Sequence, residues 1–220
     1  MGFLFTPRTF THLLIVLAMV ALTGQAPAQT SSSSKPTKKS SSGKTSPLDS
    51  GSVSNGVYRN PGFGFSCKIP EGWVLRTEEM NEGATREGQA GAGTVLLAAF
   101  SRPPLARGED VNSSIVIAAE SASAYPGLKE AVQYLGVLEE VPKSQGFTAD
   151  GEPAEIAIDA KTLVREDFHK DVGSRVMQQA MLAMLARGYA ISFTFIGGSE
   201  DEVEELVEGL SFAGVAKASH

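Results

Sequence analysis

Cysteine is almost absent from this chain: Cys67 is the single one in 220 residues. No internal disulfide is therefore available to staple the fold. The tight His and Cys sets that zinc sites favour are missing too. Of three histidines, His12 lies in the leader and His220 at the terminus, so His169 alone falls within the folded part. No serine sits in a G-x-S-x-G elbow, since Gly64-Phe65-Ser66-Cys67-Lys68 lacks the second glycine. No glycine-rich turn runs from a strand into a helix, which a phosphate cradle requires. Gly88, Gly91 and Gly93 precede a strand instead. No cofactor is expected on these grounds. Long apolar runs are also lacking. Leu13–Leu22 stops at ten residues, half of what a membrane-spanning helix needs.

What is there begins with that run. Arg8 precedes it and Ala26-Pro27-Ala28 follows it ahead of Gln29. A basic flank, a short apolar stretch and a small-residue cleavage site are the layout of a secretory signal peptide over residues 1–28. No cysteine stands near the cleavage site to carry a lipid anchor, and no transmembrane segment is left after cleavage. Export to an oxidising compartment also accounts for the shortage of free thiols. Residues 29–56 are nearly all Ser, Thr, Lys, Gly and Pro. They have little apolar surface to offset the entropy of ordering and read as a disordered linker. Lys35, Lys38, Lys39 and Lys44 make it cationic, so it reads as a spacer or as a tether to an anionic envelope surface.

Charge divides at the same boundary. Residues 1–56 carry five basic groups and one acid, while the whole chain stands at −6, which leaves −10 on residues 57–220. A domain so acidic repels phosphate backbones, and this excludes nucleic acid as a partner class. About 160 residues suffice to bury a sizeable core.

Within residues 57–216, Phe63, Phe65, Cys67 and Ile69 alternate with smaller or polar residues, the period of a half-buried strand. Residues 81–93 are glycine-rich and read as an exposed loop. Val95–Phe100 and Ile115–Ala119 are short continuous apolar runs, as central strands covered on both sides should be. Pro126 opens an expected helix carrying Leu128, Val132, Leu135 and Leu138, with Pro142 just past its end. Residues 154–169 read as extended with a break near 159–161. Residues 174–186 fit a helical stripe or a long strand equally. Tyr189, Ile191, Phe193 and Phe195 mark a clear strand. Ser199 and Glu202 form a capping box for a last helix with Val203, Leu206, Val207 and Leu210 as its buried stripe. Phe212 begins a short final strand or packs beneath that helix. Strands in sequential groups with two convincing helices indicate an α+β fold with a mainly antiparallel sheet.

The segment Tyr58-Arg59-Asn60-Pro61-Gly62-Phe63-Gly64-Phe65-Ser66, followed by Ile69-Pro70-Glu71-Gly72-Trp73, resembles the opening of PsbP-like and DcrB-like domains. The turn near Gly188-Tyr189, the last helix and Ser211-Phe212 resemble their ending. This resemblance implies a curved, mainly antiparallel β-sheet flanked by helices, an α/β/α sandwich, and it favours strand for residues 174–186. It also implies binding and assembly of partner proteins rather than catalysis.

Candidate chemical residues are few. Cys67, in phase with Phe63 and Phe65, reads as a small buried hydrophobe rather than a reactive thiol. Glu166, Asp167, His169 and Asp171 form a polar cluster. Asp167, His169 and Asp171 share one face, and so become weak metal-ligand candidates, only if the strand reaches Asp171; Gly173 argues that it stops short. A hydrolase would need His169 as base. Trp73 reads as a plug at the sheet edge or a ligand platform. Asn112-Ser113-Ser114 matches a glycosylation sequon, relevant only in a eukaryotic secretory route. Glu200, Asp201, Glu204, Glu205 and Glu208 make the last helix a solvated acidic face or a dock for a basic partner. The composite expectation is an exported, non-enzymatic binding or assembly module of the cell envelope, with an envelope protein as partner. The alternative is a periplasmic small-molecule or metal-ion binding protein, ahead of a hydrolase. The oligomeric state is not legible in the sequence.

Overall fold

The computed structural model describes residues 48–86, 93–102 and 112–214. The expected leader and most of the expected linker lie outside the described residues. Every strand pairing is antiparallel, and the strands form two sheets. The small sheet holds β1 (Ser52–Ser54), β2 (Val57–Asn60), β3 (Phe65–Lys68) and β12 (Leu210–Ser211), in that order. The large sheet runs β4 (Val74–Leu75), β5 (Thr94–Phe100), β6 (Ser114–Ser121), β11 (Tyr189–Gly197), β10 (Arg175–Ala186) and β9 (Lys161–Val172). Two short strands, β7 (Thr148–Ala149) and β8 (Ala154–Ile158), share the outer edge of β9. The helices are α1 (Thr77–Arg86), α2 (Ala131–Leu138), α3 (Glu140–Ser144) and α4 (Glu200–Glu208).

The fold is thus α+β and mainly antiparallel, as expected, but its sheet is split in two. The small sheet packs against the large one. Tyr58, Phe65 and Cys67 join Leu97, Ile117, Leu182 and Phe193 in one core, and α4 adds Val203, Leu206 and Val207 to it. The Phe65 and Phe193 rings meet edge to face at 5.1 Å. Phe212 follows β12 and packs its ring against both of them. The opposite face of the large sheet is covered by α2, which buries Tyr134, Leu135 and Leu138 against Phe168, Met181 and Ile196. Met80 of α1 covers Val95, Ala98, Phe100 and Val116.

This layering explains why residues 174–186 look ambiguous. In β10, Ala180, Leu182 and Met184 face the small sheet and α4, whereas Met177, Met181 and Ala183 face α2. A strand apolar on both faces loses its period-two signature.

Three expectations are corrected. The expected linker over 29–56 runs too far: residues 48–54 belong to the fold. Asp49 accepts from the backbone N–H groups of Gly51 (2.9 Å) and Gly62 (2.8 Å), and the Tyr58 hydroxyl donates to the Ser50 carbonyl at 2.9 Å. Asn55 and Gly56 both take positive φ, 51° and 69°, in the two-residue turn that joins β1 to β2. This is the Asn-Gly hairpin signal. Next, the expected loop 81–93 is α1 through Arg86, with 87–92 outside the described residues. Tertiary anchors hold this helix. Asn81 donates to the Val95 carbonyl and accepts from its N–H, both at 2.9 Å, and the Thr77 hydroxyl accepts from Ala98 N–H. Last, the helix expected from Pro126 starts at Ala131. Gly127 sits at φ 88°, which ends any helical path there. Gln133 instead accepts from the N–H groups of Lys129 and Glu130. Val132 is exposed, and Pro142 lies in the first turn of α3, where its missing N–H costs nothing.

The last helix has the expected cap and buries Val203, Leu206 and Val207, but it ends at Glu208, and Leu210 of the expected stripe lies beyond it in β12. Ser199 Oγ accepts from Glu202 N–H at 3.2 Å, and the Glu202 carboxylate accepts from Gly198 N–H at 2.7 Å. Among the described residues no helix is long and apolar enough to cross a membrane.

Candidate functional site

The polar cluster on β9 is divided by strand alternation. β9 runs through to Val172, past the stop expected before Asp171. The turn residue Gly173 belongs to the hairpin that pairs Val172 with Arg175, so the strand continues up to it. Arg165, Asp167, His169 and Asp171 therefore share the face that looks toward α4, and Glu166 points to the opposite face.

A groove of about 680 Å³ opens on the α4 side. Its floor is β9 and β10, one wall is Glu200, Val203 and Glu204 of α4, and the other is the 150–153 loop between β7 and β8. That loop arches outward because β7 and β8 pair with separate parts of β9. Asp150 N–H donates to the Asp167 carbonyl at 2.9 Å and fixes its base.

Arg165 is the structural centre of the groove. Its Nε donates to both oxygens of Asp167 (3.0 and 2.9 Å), and Nη1 and Nη2 grip the Glu204 carboxylate as a fork. Burial works against the charge, but these two carboxylates more than offset it, and the guanidinium is held above its ordinary range. This clamp ties β9 to α4. Farther along β9, His169 Nδ1 meets Asp150 Oδ1. Gln178 of β10 stands directly across the ladder from His169.

The three metal candidates thus do different things. Asp167 is engaged by Arg165, His169 is paired with Asp150, and Asp171 is exposed beyond the groove. Among the described residues, no three or more His, Cys, Asp or Glu side chains are grouped to hold a metal ion. Among the described residues that line the groove none is Ser, Thr, Cys or Lys, so no hydroxyl, thiol or amine of theirs adjoins the His169–Asp150 pair. The net lining is acidic: Asp150, Glu152, Asp167, Glu200 and Glu204 face Arg165 and His169. Sequence reading missed Asp150, which lies 19 residues from its partner.

The α2 side of the sheet carries a second polar set that the sequence did not announce. Glu120, at the end of β6, is buried. It accepts from the hydroxyls of Tyr134 (3.0 Å) and Tyr125. Burial first, and then the interaction with Glu120, push both phenols well above their ordinary range. A Cβ on Gly93 would stand 2.3 Å from Glu120 Cγ, so glycine there makes room for the carboxylate.

The remaining candidates are placed as follows. Cys67 is fully buried in the core, where burial pushes its thiol up to about 12, and a thiol so placed is inert. Trp73 is half-buried against the main core and lines a smaller groove of about 490 Å³ with Ile69, Glu205 and Glu208. The acidic residues of α4 are thereby split between two grooves. Asn112 accepts from the Ser101 hydroxyl and from Arg102 N–H, both at 3.1 Å. Gly88 and Gly91 lie outside the described residues.

No protein-family model and no curated protein matches the chain. Solved structures do. Cyanobacterial PsbP from Synechocystis sp. PCC 6803 is similar at 18% identity over 70% of this chain and 89% of that one, with a TM-score of 0.45. A PsbP structure is thus among its likenesses. LpqN of Mycobacterium tuberculosis, described as involved in cell envelope biogenesis, is similar at 12% identity over 67% of this chain and 82% of that one, TM-score 0.37. A Pseudomonas aeruginosa protein of unknown function is similar at 15% identity over 64% and 81%, TM-score 0.35. Likeness at this level concerns the fold, and no role follows from it.

Proposed function

We propose that this protein is an exported, non-enzymatic binding module of the cell envelope, and that its groove between α4 and β9 receives a basic segment of a partner protein. One observation carries this reading. Arg165 and His169 of the groove are each engaged by a carboxylate, while Glu152 and Glu200 remain exposed at its rim. Such a wall attracts positive charge and steers it inward. The fixed Arg165 clamp keeps the groove open without a ligand, and preorganisation of this kind lowers the cost of binding. The export half of the reading rests on residues 1–28.

The test is a photo-crosslinking side chain at Gln178, on the groove floor, in the full-length protein expressed in its own envelope. A discrete protein adduct is expected, and it weakens with salt and disappears in the Glu152→Lys/Glu200→Lys double variant. An adduct indifferent to charge reversal, or none, overturns the reading. A parallel thermal-shift screen with small cations separates the alternative. A melting shift without an adduct would reassign the groove to a small cationic ligand.

A further inference from the structure

The two sheets are finished differently at their two sides. Beside β12, the Asp159 carboxylate of the β8–β9 turn accepts from the Ser211 hydroxyl (2.8 Å) and from the N–H groups of Phe212 (2.7 Å) and Ala213 (3.1 Å). This ties the edge of the large sheet to that of the small one. On the other side β1 edges the small sheet and β4 edges the large one. A groove of about 700 Å³ opens there, lined by Val53 of β1 and Leu75 of β4. These two side chains are 40% and 48% exposed.

Both strands also turn backbone groups away from their own sheets. Alternate residues of an antiparallel strand direct N–H and C=O to the same neighbour. Ser54 and Val57 close the Asn55-Gly56 turn, and Ser52 stands opposite Arg59. Ser52 and Ser54 therefore spend their backbone groups on β2, and those of Val53 point to the free side. In β4, Arg76 N–H donates to the Ala98 carbonyl at 2.8 Å, so by the same alternation the Leu75 groups point outward. Among the described residues no strand pairs with either outer side. An open edge of this kind is a template for an extended chain. At the rim Arg76 donates to both Glu79 oxygens at 2.8 Å, while Glu78 is exposed with no partner among the described residues.

We propose that this groove takes an extended segment of another protein, added as a strand beside β1, with an aliphatic side chain between Val53 and Leu75 and a flanking Lys or Arg at Glu78. Val53 N–H donates to the added strand and Val53 C=O accepts from it. Charge selects the occupant. A second copy would bring together two domains that each carry −10 over residues 57–220, and such fields repel, whereas a cationic segment is drawn in. The chain's own Lys-rich stretch, residues 29–47, joins the fold on the wrong side. Leu48 packs on the main core, and Asp49 accepts from Asn60 Nδ2 through its carbonyl and from Gly62 N–H through its carboxylate, both at 2.8 Å. Asn60 and Gly62 belong to the β2–β3 turn, across β2 from the free side of β1. The site is separate from the α4–β9 groove and stands or falls without it.

A displayed library of random linear peptides, selected against the full chain, tests this. Enriched peptides are expected to carry Val, Ile or Leu next to Lys or Arg. A synthetic copy of one is expected to slow hydrogen exchange at the Val53 N–H roughly tenfold or more, without moving the amide signals of residues 150–153. Val53→Pro, which deletes a donor that no ladder uses, is expected to weaken binding roughly tenfold. Glu78→Lys is expected to weaken it roughly fivefold, and more at low salt. Should the proline variant fold poorly, Glu78→Lys decides, because that side chain is exposed. No enriched peptide, a peptide that leaves Val53 exchange unchanged, or binding indifferent to these substitutions overturns the proposal. So does a dimer in sedimentation equilibrium that protects the Val53 N–H without peptide, which assigns the edge to a second copy.

Discussion

The two faces of the large sheet solve the same problem in opposite ways. Toward α4, carboxylates are engaged by the Arg165 guanidinium and the His169 imidazole, in a groove open to water. Toward α2, Glu120 and Glu166 sit away from water: two phenols donate to the first, and burial pushes the second up to about 7. One residue of strand alternation separates Arg165 from Glu166, so chemistry follows from which layer covers each face. A groove exposed to solvent tolerates ions, because water screens what the partners leave uncompensated. A sealed interface does not, and a polar atom left there without a partner of the right kind is costly.

The comparison breaks most severely where the sealed face loses its acceptor. Glu120→Ala removes the carboxylate shared by the hydroxyls of the half-buried Tyr125 and the buried Tyr134, each lost bond costing about 1–3 kcal/mol. A loss of about 3 kcal/mol in chemical denaturation is expected; a loss below about 1 kcal/mol would mean that water reaches this face and that the contrast fails. Next in size is Glu166→Gln, which tests the sign. At pH 5 it should be close to neutral, and at pH 8 it should stabilise by about 2 kcal/mol, because the wild type alone must give up a buried proton. Equal effects at both pH values would place Glu166 with the solvated carboxylates.

Much of the scaffold was legible because its signals are local. The alternation Tyr189–Ile191–Phe193–Phe195 faces one layer, and the Ser199–Glu202 box needs only four residues. The parts that escaped are made by tertiary contacts. α1 buries Met80 but takes its anchorage from Asn81 and Thr77 reaching the β5 backbone, which no periodicity records. The groove joins Arg165 to Glu204 across 39 residues and His169 to Asp150 across 19. With one sequence, nothing in either stretch names its partner. The β1 hairpin is a different case, because Asn55-Gly56 is a local signal, hidden only by the polar composition around it.

On the open face, effects shrink. Arg165→Ala removes the tie between β9 and α4, but Asp167 and Glu204 are 41% and 44% exposed and are rehydrated once freed. A loss of about 1 kcal/mol is expected, falling further in high salt as screening replaces the missing charge. A salt-independent loss of about 3 kcal/mol or more would show that the clamp is desolvated, and the two faces would no longer differ in kind.

The smallest effect sharpens the contrast at the groove itself. His169 and Asp150 are 39% and 41% exposed, so Asp150→Asn should change stability by less than about 0.5 kcal/mol, the range of surface ion pairs. Its consequence for binding should be larger than for folding, because Asp150 belongs to the acidic wall that draws a basic segment inward. Crosslinking through Gln178 should therefore weaken in Asp150→Asn while the melting temperature holds. If stability and crosslinking fell together, the pair would be a structural strut, and the open face would owe its shape to the same internal satisfaction that governs the sealed one.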